Sequence, residues 1–218
     1  MRALRLTLLT SVALVGVATP ASAQSPLDAV ALALGVGADV VSVEVRAETR
    51  ATLAGEAVVV PSRRTIRRQS ARWRSTLGGE PRVVALTERG AVAGEGDDAV
   101  ALGPSATAEV RAALWLDPIA IALRHRQLTV RDLGSGLLRI RAPRLAEPVL
   151  IKLDARARPV RLTTFLARGG DRVYVEVVLA DYRVVDGLVV PHRVTLAEGG
   201  VVRGTTTVTR VTVERAGD

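Results

Sequence analysis

Arginine is the residue type dense enough in this chain to suggest chemistry. Of the 30 lysines and arginines all but Lys152 are arginine, and six of them, at positions 63, 64, 67, 68, 72 and 74, fall within twelve residues. No acid lies between Ala57 and Gly79. Guanidinium groups at that density suit phosphate headgroups or an acidic partner, since each offers a planar fork of donors that matches an oxyanion. Arg64, Arg67 and Arg68 are the candidate contacts to an anionic surface or an envelope partner. The competing reading is a solvated outer sheet face, balanced by Glu44 and Glu48 on a neighbouring strand.

Catalytic arrangements are missing. The two histidines, His125 and His192, fall in no H-E-x-x-H or comparable frame, and there is no G-x-S-x-G. Gly35-Val36-Gly37 lacks the rest of a dinucleotide fingerprint and reads as a helix stop. Cysteine is absent, which excludes disulfide scaffolds, zinc fingers, thiol catalysis and iron–sulfur ligation. We therefore expect no enzyme, no catalytic residue, no metal and no cofactor.

The start of the chain supplies an address. Arg2 and Arg5 precede an apolar run from Leu6 to Ala18, and Ala21-Ser22-Ala23 has the small-residue pattern of a signal-peptide cleavage site. The run is too short to span a bilayer, which takes about 20 residues. A leader over residues 1–23, a mature start at Gln24, and one periplasmic or secreted domain over 24–218 follow as expectations, with no integral membrane segment. Removing Arg2 and Arg5 lowers the formal charge from +8 to +6. Export, together with 2% aromatic content, argues against nucleic acid as the partner of these cations.

Stepping through the elements, Ser25-Pro26 followed by Leu27, Val30, Ala31 and Leu34 predicts one short helix ending at Gly35. From Val41 to Leu53 the period becomes two, which predicts a long strand with one wet face. Strands near 57–68, 71–77, 82–88 and 99–102 follow, joined by turns too short for parallel crossovers. Val110, Ala113 and Leu114, then Asp117-Pro118 ahead of Ile119, Ala122 and Leu123, predict two tandem helices, with His125 as a cation at the end of the second. Alternation then resumes from 128 to 214, with His192 at a strand start and Asp186-Gly187 as the strongest hairpin signal. The fold class is α+β, mainly β: about eleven antiparallel strands in a sheet that must curl strongly or close.

That element order resembles the periplasmic lipoprotein carrier LolA and its relatives. Leu153-Asp154 through Pro159-Val160-Arg161-Leu162 is similar to their strand-turn-strand segment, and Asp181-Tyr182-Arg183-Val184-Val185-Asp186-Gly187, continuing to Pro191, to their D-Y-R-x-V-D-G-x-x-x-P segment. The resemblance implies an unclosed barrel with an apolar concave side, an N-terminal helix, and a two-helix lid over a cavity for lipid or lipoprotein acyl chains. Such a cavity needs a contiguous apolar surface. Val43, Val45 and Leu53, with Val173, Val175, Val177 and Leu179 on a later strand, are the candidate floor. Leu114, Leu116, Ile119 and Leu123 are the candidate lid. The same residues could instead pack a filled core, leaving a non-enzymatic envelope protein that docks through its arginines.

Overall fold

A computed structural model describes residues 25–168 and 171–217. The expected leader, Gln24, and the turn residues Gly169 and Gly170 lie outside the described residues.

Helix α1 (Pro26–Ala33) begins where capping chemistry requires it. The Ser25 hydroxyl accepts from the Leu27 N–H at 3.3 Å, and the Asp28 carboxylate accepts from the Ser25 N–H at 3.1 Å. Leu27, Val30, Ala31 and Leu34 are buried, as their spacing predicts. A meander follows: β1 (Val40–Leu53), β2 (Glu56–Arg67), β3 (Ala71–Leu77), β4 (Glu80–Leu86), β5 (Ala91–Ala93) and β6 (Val100–Ala101). Helices α2 (Pro104–Trp115) and α3 (Pro118–Leu123) interrupt it. The second meander is β7 (Thr129–Asp132), β8 (Leu137–Arg141), β9 (Val149–Leu153), β10 (Pro159–Arg168), β11 (Asp171–Val185), β12 (Leu188–Glu198) and β13 (Val201–Arg215).

Both meanders belong to one antiparallel sheet, ordered β6-β5-β4-β3-β2-β1-β13-β12-β11-β10-β9-β8-β7. Among the described residues it has thirteen strands rather than about eleven; Ala91–Ala93, for one, is too short to carry an alternation signal. The two meanders meet where β1 pairs β13, from Val40 opposite Arg215 to Ala51 opposite Gly204. The register shifts between Arg46 and Ala47, and nearby the Thr209 hydroxyl donates to the Arg46 carbonyl at 3.1 Å. Edges β6 and β7 do not pair, so the barrel stays open. Because α2 and α3 are the chain between those two edges, they must cross the opening. α2 buries Ala112, Leu114 and Trp115, while Ala113, expected on its apolar face, is exposed.

The D-Y-R-x-V-D-G segment has a structural job. Asp186 and Gly187 both have left-handed backbone, with φ of 48° and 77°, which a tight hairpin between right-twisted strands demands. The end of α1 rests on this turn: the Val189 N–H donates to the Leu34 carbonyl at 3.0 Å, and a Cβ on Gly35 would sit 2.1 Å from the Gly187 carbonyl oxygen. Gly35 itself has φ +68°. Gly35→Ala is therefore expected to cost upwards of about 2 kcal/mol, from left-handed strain plus the clash. A urea midpoint equal to that of the wild type would contradict this packing.

Candidate functional site

The concave face is set by strand parity. Val43 and Val45 on β1 lie opposite Ile66 and Arg64 on β2, and opposite Val213 and Val211 on β13. Across the other half, Leu162 on β10 faces Val177 on β11, and Leu179 faces Val194 on β12. Helix α3 seals one end of this trough. Its sequence Pro-Ile-Ala-Ile-Ala-Leu has no polar residue, and all six residues are buried. Burying Ile119, Ile121 and Leu123 contributes about 2 kcal/mol apiece relative to exposure.

The proposed floor and lid come together in one place. Val43, Val45, Leu114, Ile119 and Leu123 are each at most 2% exposed, and Leu116, Val175, Val177 and Leu179 are buried in the same cluster. Val173 is half-buried against that cluster. Leu53 stands apart at 43% exposure, at the end of β1 that the helices do not reach. The α3 side chains and much of the floor are out of contact with solvent. Beyond the lid the trough is only partly covered, with Val60, Leu166, Val173, Val194 and Leu196 half-buried.

Polar bonds hold α3 at both ends. At its start the Asp117 Oδ1 atom accepts from the Ile119 and Ala120 N–H groups at 2.8 and 3.3 Å, while Oδ2 meets Arg64 at 2.8 Å. At its end the Arg68 guanidinium donates to the Leu123 carbonyl at 3.0 Å and to the carbonyls of Gly37, Ala38 and Val40. Arg124, buried against Trp115 at 5.7 Å, donates to the carbonyls of Arg67 and Ser70. Desolvation pulls its guanidinium down to about 10. His125 joins the Ala122 carbonyl at 2.7 Å and Asp28 at 3.2 Å, linking α3 to α1.

No protein-family profile matches this sequence, and no curated protein does. Solved structures do match its shape. A LolA superfamily protein from Nitrosomonas europaea superposes with a TM-score of 0.61 at 11% identity, over 90% of this chain and 94% of that one. A domain designated an outer membrane lipoprotein-sorting protein, from Vibrio parahaemolyticus, gives 0.56 at 9% identity, over 86% and 91%. The fold is LolA-like. A DUF1329 family protein from Desulfovibrio piger follows at 0.52 and 6%, again over 86% and 91%. Among the described residues no helix is long and apolar enough to cross a membrane.

Within this LolA-like fold the arginine-rich strand divides by parity. Arg64 shares the concave side with Ile66, and Arg68 turns to α3, so both are spent on the helix, whereas Arg67 is exposed. His192 is buried with Nδ1 bonded to the Val190 carbonyl at 3.1 Å. Sequence reasoning missed Asp117 as a partner of Arg64, missed Trp115, and read Arg124 with His125 and Arg126 only as helix-end cations, without the Arg124 bonds to the carbonyls of Arg67 and Ser70. Asp117-Pro118 was legible as a helix cap, but its second carboxylate oxygen meets a residue far away in the chain.

The convex side carries a different array. Arg74, Arg63, Arg46 and Arg210 stand opposite one another on four successive strands, all exposed. Like charges placed directly opposite destabilise a sheet, and two carboxylates relieve them. Glu44 accepts from Arg46 and Arg63, and Glu95 from Arg72 and Arg74. Burial pushes the Glu44 carboxyl up, but the bonds from Arg63 and Arg46 outweigh it and hold it below the usual range. Glu95 is lowered chiefly by Arg74. A carboxyl so depressed adds stability above its unfolded pKa, and that stability is lost as pH falls through the folded value. Thermal midpoints should thus drop between about pH 5 and pH 3, with a shallower drop in Glu44→Gln; parallel curves would contradict the pairing.

Proposed function

We propose that the mature protein, residues 24–218, is an exported, non-catalytic periplasmic carrier or binding protein for a hydrophobic ligand such as lipid or lipoprotein acyl chains, in which the chains replace α3 on the concave face. The observation that carries this reading is the composition and seating of α3. An all-apolar helix lies on an apolar trough and is tied down at its ends by Arg64, Arg68 and Arg124. A hydrocarbon chain can take its place against Val43, Val45, Val175, Val177 and Leu179 with little change in apolar contact, because the hydrophobic effect is non-directional. The half-covered trough around Leu53 and Val173 would receive the ligand first. The neighbours from Nitrosomonas europaea and Vibrio parahaemolyticus lend support through shared fold, one by its lipoprotein-sorting designation.

Native mass spectrometry of protein exported by its own leader and purified without detergent tests this. The mature chain should carry adducts of lipid mass that organic extraction removes. Bare chain alone, under conditions that retain lipid on a known carrier, would count against it.

A second reading has its own support in the Arg74-Arg63-Arg46-Arg210 row. Under it the protein keeps a permanently filled interior and docks an anionic membrane surface or an acidic envelope protein through its convex face. Lipid-free protein that binds anionic vesicles in a salt-sensitive way would favour this alternative.

A further inference from the structure

Four arginines line one cleft beside the lid. This cleft, about 330 Å³, is lined by Arg68 after β2, Arg111 on α2, Arg124 after α3 and Arg144 after β8, with Leu114 and Trp115 as an apolar wall. Elsewhere the arginines tend to meet acids: Arg46, Arg63, Arg72, Arg74, Arg158 and Arg172 are all in ion pairs. None of these four forms an ion pair among the described residues, although the charge of Asp117 acts on Arg124. Each donates to backbone carbonyls instead: Arg68 to Leu123, Arg124 to Arg67 and Ser70, Arg111 to Arg144, and Arg144 to Glu88. Carbonyl dipoles orient the cations without neutralising them. The one acid in the lining is Glu88, which makes no ion pair among the described residues.

A second, independent feature sits in the same wall. Trp115 is 4% exposed, and its indole Nε1 is buried without a hydrogen-bond partner. Buried polar groups left unmade are uncommon, and each calls for an explanation. The Nε1 atom has no exposed surface, so the indole reports on the cleft from its wall without itself binding an occupant.

We infer that this cleft is a binding site for a phosphate-class oxyanion. Guanidinium forks such as those of Arg111 and Arg144, which form no ion pair among the described residues, suit a phosphate monoester, with three acceptor oxygens and up to two charges, better than a carboxylate with two oxygens and one charge. The cleft also adjoins α3 through Arg68 and Arg124, so the anion can be the headgroup of an amphiphile whose chains take the place of α3 on the concave face. That extension rests on the proposed carrier function; binding of phosphate itself does not.

The two tryptophans give the test its readout. Trp73 lies on β3, outside this lining, so ¹H–¹⁵N spectra contain one indole resonance at the site and one control, assigned with Trp73→Phe. Titration with inorganic phosphate at constant ionic strength should move the Trp115 indole signal saturably and leave that of Trp73 in place. Arg111→Gln with Arg144→Gln should weaken this binding about tenfold or more while keeping the native spectrum. No saturable shift, the same shift with chloride, or an unchanged affinity in the double variant would overturn the site.

Short-chain phosphatidic acid separates the two sources of phosphate. Tighter binding than inorganic phosphate, with shifts of the Leu114 and Leu123 methyls, identifies a lipid headgroup. Equal affinity with unmoved methyls identifies a free phosphate. Methyl shifts without any movement of the Trp115 indole would overturn the anion site and leave the carrier reading intact.

Discussion

Ile119→Asp releases α3 from the sheet while the sheet stays folded. Ile119 is fully buried on an all-apolar helix, and Arg64, the cation nearby on the concave side, is already paired with Asp117, so the new carboxylate would be uncompensated. An uncompensated buried charge costs about 3–5 kcal/mol. Together with the roughly 2 kcal/mol lost with the isoleucine, it cancels the roughly 6 kcal/mol by which Ile119, Ile121 and Leu123 seat the helix, which frees the six-residue helix to leave. The β1–β13, β1–β2 and β11–β12 ladders do not depend on α3 for their hydrogen bonds, and they should persist in far-UV circular dichroism. The near-UV signal of Trp115 should fall, and an apolar dye should bind the uncovered trough. A single cooperative loss of both signals would make α3 part of an indivisible core and would end its role as a lid.

Asp117→Ala should have the next largest effect. It removes the cap of α3, worth about 1 kcal/mol, and leaves Arg64, whose side chain is 23% exposed, without its carboxylate. That arginine is partly screened by water, so its share is discounted to about 1–2 kcal/mol, for a total near 2–3 kcal/mol. Arg64→Leu in the same background should recover part of the loss, since it removes the stranded cation. A urea double-mutant cycle measures the coupling. Additive effects would mean that Arg64 and Asp117 touch without holding the lid.

Much of this architecture is written locally in the chain. Ser25-Pro26 announces α1, Asp186-Gly187 the hairpin, and Asp117-Pro118 the start of α3, because caps and tight turns depend on a few adjacent residues. Alternation also carries the parity that separates Arg64 from Arg63 and Arg67. What it cannot carry is which long-range partner waits on each face. The pairing of β1 with β13, the meeting of Arg64 with Asp117, and the bonds of Arg68 and Arg124 at the C-terminal end of α3 all join segments far apart in sequence. Leu53 fits the apolar parity of β1 yet is exposed, because alternation reports a face and not where a covering helix stops. The same limit hid the cleft beside Trp115, whose arginines come from four separate segments.

Hydrogen exchange reads directly whether α3 yields its place to an apolar ligand. Amides of α3 would be followed in the protein alone and with a diacylated lipopeptide, using those of β1 and β13 as the internal reference. Loaded protein should exchange much faster over Ile119–Leu123 while β1 and β13 stay protected. Protection of α3 that matches β1 and is unchanged by the lipopeptide would contradict a movable lid and leave the concave face a filled core.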